Sequence, residues 1–173
     1  MLTSLLISFV LFKKPDPFYV VLGPLAGLVS ITAACNSVNS LLAILIGIVG
    51  TIIAIIVHEL LNKKEIDDVV GAVPVHLAAG VWGTLAVGIF SNLEILGTGL
   101  SRMEQIKAQL IGISAIGFFS FVSSFVFFKV VNYFYPLRVS PIHEELGLNI
   151  AEHGAVSVAV SYTHLTLPTI YSV

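Results

Sequence analysis

One ionisable side chain sits inside the run VVGAVPVHLAAGVWGTLAVGIF at residues 69–90: the imidazole of His76. Imidazole titrates near neutrality, so it can take up a proton, hold it and pass it on, and its two ring nitrogens are distinct hydrogen-bonding groups. A helix rises about 1.5 Å per residue, so this run crosses a hydrocarbon core of about 30 Å, with His76 about a third of the way along. An ionisable group at that depth is costly and marks a pathway by default. The residues alone leave two readings open: a histidine lining a polar path, or a buried histidine bonded to a carbonyl. Ala72 and Gly80, four residues to either side, share its helical face and are candidates for pore lining or close packing. Asp67 and Asp68 precede the helix and are read as N-cap and helix-dipole partners. Pro74 removes one backbone donor and is expected to bend the helix beside His76. Trp82 lies about 120° around from His76 and is expected to face a neighbouring helix or lipid.

The other chemistry-bearing residues form no recognisable set. His58 stands beside Glu59 at the end of an apolar run, an interfacial position, and His143 and His153 fall in a polar tail where solvation suffices. No serine–histidine–acid arrangement, metal-ligand spacing or nucleotide-binding loop is visible, and the single Cys35 excludes an internal disulfide. Neither an enzyme nor a metal or other cofactor is expected. Eight Lys and Arg stand against ten Asp and Glu with no basic run, so nothing points to nucleic acid.

The elements that must position these residues are apolar. Hydrophobic residues make up 57% of the 173 and charged residues 10%, against roughly a quarter charged in soluble domains. Mean hydropathy is +1.01. This is the composition of an all-α membrane protein. Five apolar runs cover residues 1–12, 18–34, 41–57, 69–90 and 106–131. KKPDP divides the first two, with Pro15 and Pro17 forbidding a continuous helix, and CNSVNS divides the second from the third. The first run has no basic n-region and reads as a truncated span, not a signal peptide. If every run spans, Lys13, Lys14, Lys63, Lys64, Lys129 and Arg138 fall on one side and only Arg102 and Lys107 on the other. The positive-inside rule makes the first side cytoplasmic, and with it the tail from Tyr135 onward. Glycines inside the runs, among them Gly23, Gly50 and Gly83, suit close helix approach.

Taken together, IDDVVGAVPVHLAAGVWGTLAVGIF resembles the tenth transmembrane segment of the ammonium transporter (Amt/Mep/Rh) family. KKPDPFYVVLGPLAGLVSITAAC resembles the eighth segment with its loop, LLAILIGIVGTIIAIIV the ninth, QLIGISAIGFFSFVSSFVFFKVV the eleventh, and LRVSPIHEELGLNIAEHG the cytoplasmic tail. Leu22, where many members carry asparagine, and Asn149, where aspartate is usual, depart from the pattern. The resemblance implies a truncated ammonium-transporter fold: about five transmembrane helices of an eleven-helix inverted-repeat bundle, from the end of segment seven through segment eleven. It divides the chain into a partial transporter domain at 1–134, a cytoplasmic tail at 135–159, and residues 160–173, which begin VSYTHL and read as non-native adapter translation. It implies that His76 is one of a pore-lining histidine pair. Ammonium would be recruited outside and deprotonated, and ammonia would cross an apolar path while the proton follows the pair. It further implies a multi-pass cell-membrane protein, a homotrimer for the complete molecule, and a PII-type regulatory protein at the tail. This stretch alone, without the first repeat, is not expected to conduct. The alternative is a membrane ammonium sensor, in which a transporter-like domain is joined to a cytoplasmic signalling domain.

Overall fold

Prolines, asparagines and aspartates cut the apolar sequence into helices. In the computed structural model, which describes residues 1–148, helix α1 (Leu2–Phe12) ends where Lys13 turns left-handed at φ 60° and its amide donates to Phe9 O. Helix α2 (Pro17–Thr32) starts on a proline, whose missing amide costs nothing in a first turn, and Asp16 caps it by accepting from the amides of Phe18 and Tyr19 at 2.9 and 3.4 Å. Asn39 caps α3 (Ser40–Lys63) by accepting from Leu42 N at 2.9 Å. Helix α4 (Val73–Phe90) opens with a π-helical turn, Val73–Ala78, and continues as ordinary α-helix from Ala79. A four-residue helix α5 (Leu93–Leu96), a 33-residue helix α6 (Arg102–Phe134) and a short α7 (Pro141–Leu146) follow.

All five apolar runs are helical, but three helices, α3, α4 and α6, are long and apolar enough to cross a membrane. Helices α1 and α2 have 11 and 16 residues. At about 1.5 Å per residue the first is near half the thickness of a hydrocarbon core. The chain divides into two compact units, Met1–Phe119 and Ser120–Val173, with the boundary inside α6. The tail beyond residue 148, including His153, and the stretch 160–173 lie outside the described residues.

Within the first unit α2 packs between α1, α3 and α4. Tyr19, Leu22 and Ala26 of α2 meet Ala54 and Ile55 of α3 and Val75 and Ala79 of α4 in one buried cluster. The three helices come closest around Ser30. A Cβ on Gly83 would lie 2.5 Å from Ser30 O, and one on Gly50 would overlap Ser30 Oγ. Small residues permit this approach, which in an apolar solvent is a main source of helix association. Buried hydroxyls bond back to their own helices: Ser30 Oγ donates to Ala26 O at 2.7 Å and Thr51 Oγ1 to Gly47 O at 2.9 Å. Trp82 Nε1 donates to Ile46 O at 3.0 Å, so Trp82 is turned to the neighbouring helix α3.

Candidate functional site

The start of α4 can be accounted for amide by amide. Gly71, held at φ +69°, donates to Asp68 O at 3.1 Å. Ala72 N donates to Asp68 Oδ1 at 2.9 Å and Val73 N to Asp68 Oδ2 at 2.8 Å. Pro74 has no amide hydrogen, and Val75 N donates to Gly71 O at 3.1 Å. The donors that a helix normally leaves unpaired at its first turn are thus satisfied by one aspartate or absent. The capping bonds run to Asp68; Asp67 is exposed and takes none of them.

His76 follows within the π-helical turn, in which Ala79 N reaches back five residues to Pro74 O. Pro74 and Val75 are buried against the bundle, whereas Ala72, Val73, His76 and Leu77 are exposed and Gly80 is partly so. The imidazole therefore stands on the open, apolar side of α4. Gly80 is on this side as well: a Cβ there would make only an ordinary contact, 3.8 Å from Val29 Cγ1. The close approach of backbones is the work of Gly83, one turn on.

A second group of polar side chains gathers near the start of α2 and the end of α3. Tyr19 Oη donates to Glu59 Oε1, the His58 ring stacks on Phe18 at 4.4 Å, and Asn62 Nδ2 lies 3.0 Å from His58 Nε2. They line a cleft of about 490 Å³ with Phe12, Asp16 and Asp68. The sequence reading placed His58 and Glu59 at an interface and missed the Tyr19–Glu59 pair. The available signal was positional: with antiparallel neighbours, a polar residue in the first turn of α2 comes level with the last turns of α3. Toward the other end, Ser37 Oγ donates to Ser91 Oγ at 2.8 Å, and Arg102 Nη1 caps α4 by donating to Ser91 O at 2.7 Å and Gly88 O at 3.2 Å. A cleft of about 690 Å³ opens there beside Asn39, Phe90 and Glu94. Among the described residues no three His, Cys, Asp or Glu side chains come together as a metal site.

Known proteins are similar to this chain in sequence and in fold. The model of the Ammonium Transporter Family matches residues 1–158. An ammonium transporter homologue from Synechocystis sp. is 45% identical over 135 residues, covering 78% of this chain and 25% of that protein. Ammonium transporter Amt2 of Archaeoglobus fulgidus is 37% identical over 166 residues, covering 90% of this chain and 35% of its own length. A solved structure named Sensor Amt Protein superposes with a TM-score of 0.78 at 37% identity, over 87% of this chain and 38% of that one. The chain thus spans between a quarter and about two fifths of the proteins it matches. The matched residues take in all seven helices among the described residues, the Asp68 cap and the His76 turn with them, and with that extent and identity the chain belongs to the ammonium transporter family.

Proposed function

We propose that this chain forms part of the wall of an ammonia-conducting pore in a multi-pass cell-membrane protein, with His76 as one of two imidazoles that carry the proton ammonium gives up. The observation that carries the reading is the position of His76: exposed, in the first turns of a membrane-length helix, with apolar residues around it. A bare ammonium ion would lose its hydration in such a path without repayment, so charge and ammonia need separate routes. An imidazole that accepts on one nitrogen and donates from the other supplies the proton route. Ala72 and Gly80 are the candidate lining neighbours, small enough to leave room beside the ring. Residues 1–134 would belong to the transporter domain and 135–159 to a cytoplasmic tail offering a surface to a PII-type regulator. The complete protein would be a homotrimer with a path through each subunit. The test is ammonium-driven current from the full-length protein reconstituted on a supported membrane. Current that saturates with ammonium and excludes potassium supports the reading; its absence from folded protein contradicts it.

A sensor is the second reading, favoured by the name of the superposing structure. It predicts that ammonium changes the activity of an attached cytoplasmic domain while no current flows, a result the same preparation can give.

A further inference from the structure

The π-helical turn in α4 has a cause that can be read from the burial pattern. Within α4, Val75, Ala79, Gly83 and Val87 are all buried, a stripe repeating every four residues. In an α-helix of 3.6 residues per turn such a stripe drifts by about 40° at each step, so four positions would wrap about 120° around the axis. A wider turn takes up part of that drift. Both ends of the segment are fixed. Upstream, Asp68 holds the amides of Ala72 and Val73, and Pro74 and Val75 are buried. Downstream, Ala79 is fully buried and Gly83 abuts the backbone of Ser30. Between two anchored halves the chain carries one residue more than an α-helix needs, and the excess appears as the wide turn from Val73 to Ala78.

We infer that this extra residue sets the position of His76, and that Pro74 is a positioning residue that holds the wide turn in place. Pro74 stands in the first turn of α4, where its ring fixes the backbone φ and its side chain is buried against the bundle, so it holds the N-terminal end of the wide turn in place. Relative to the half anchored at Gly83, the extra residue displaces His76 by about 1.5 Å along the axis and about 100° around it. Removing Leu77 changes the buried spacing within α4 from four-four-four to three-four-four, the ordinary spacing of an α-helical core stripe. The packing is then kept while the imidazole is moved.

This inference rests on the pore reading of His76, and the experiment separates the two. Full-length protein is prepared as wild type, with Leu77 deleted, as Pro74→Ala and as His76→Leu. Each is assayed for thermal unfolding and for ammonium-driven current across a pH series. The Leu77 deletion is expected to unfold at an unchanged or higher temperature, to lose current by roughly tenfold or more, as small displacements of reacting groups do, and to shift the pH midpoint of what remains. Pro74→Ala, which alters no residue count, is expected to fold and to lower current with a shifted pH profile. Unchanged current and pH profile in both variants overturns the inference, as does a deletion variant that no longer folds, since the residue would then not be in excess. If His76→Leu itself leaves current unchanged, the pore reading fails instead.

Discussion

Both carboxylate oxygens of Asp68 are occupied by helix amides, so its loss leaves two donors without partners at the start of α4. Asp68→Ala should lower stability by about 1–2 kcal/mol, the usual loss for an N-cap, whereas the exposed Asp67→Ala should change it by no more than about 0.5 kcal/mol. Chemical unfolding of both variants in detergent checks the contrast. In the second unit, Arg138 meets Glu144 through two hydrogen bonds at 2.7 and 3.0 Å. The hydrogen bond from Arg138 holds the Glu144 carboxyl below its ordinary range. A folded-state value below the unfolded one adds stability above the unfolded value and loses it as pH falls through the folded one. The Arg138–Glu144 contact should therefore be intact at neutral pH and lost on acidification below the ordinary carboxylate range. Side-chain NMR of Glu144 would follow it, and Arg138→Gln should return the Glu144 titration to the ordinary range. His76 and the Asp68 cap were legible at this scale because isolation in an apolar run and position before a helix are sequence properties. The Tyr19–Glu59 bond was not, since it joins residues 40 apart through a helix pairing.

At the scale of the element, the glycines divide by what faces them. Gly83 meets the backbone of Ser30, which cannot move aside as a flexible side chain can. Gly83→Val should cost about 1–3 kcal/mol or more by overpacking, while Gly80→Ala, with only Val29 nearby at 3.8 Å, should leave unfolding nearly unchanged. Thermal unfolding of the two variants side by side gives the answer, and equal losses would contradict the helix contact. The apolar runs located the helices because each is bounded by residues with a turn or capping preference. Their ends were less legible. Helix α3 continues through HELLNK to Lys63, past the apolar run, because leucine, glutamate and lysine form helix well in water and at an interface. The π-helical turn escaped because one surplus residue does not alter hydropathy; only the buried stripe at every fourth position reveals it, and burial is a property of the fold.

Over the whole molecule, the described helices expose apolar side chains that water would not tolerate in such number: Leu28 is 65% exposed, Leu41 78% and Phe118 72%. For a chain whose solvent includes lipid this is the expected surface. The distribution of basic residues predicts an orientation. Single cysteines placed at Lys63 and at Arg102 in the full-length protein should label oppositely with an impermeant reagent applied to intact cells, Arg102 from outside and Lys63 only after permeabilisation. Fold class and family were legible from composition and from the order of the segments. The separation into two units was not, because it depends on which helices pack, not on which are apolar.

Proton passage along the proposed path turns on His76, and ammonium-driven current from the full-length protein, wild type beside His76→Leu, tests it most directly. A folded and assembled His76→Leu protein should lose current by roughly tenfold or more, within the range that a positioned proton-transfer group contributes, while neutral ammonia still passes. Unchanged current with unchanged selectivity against potassium would contradict the account and leave His76 a histidine of the helix surface alone.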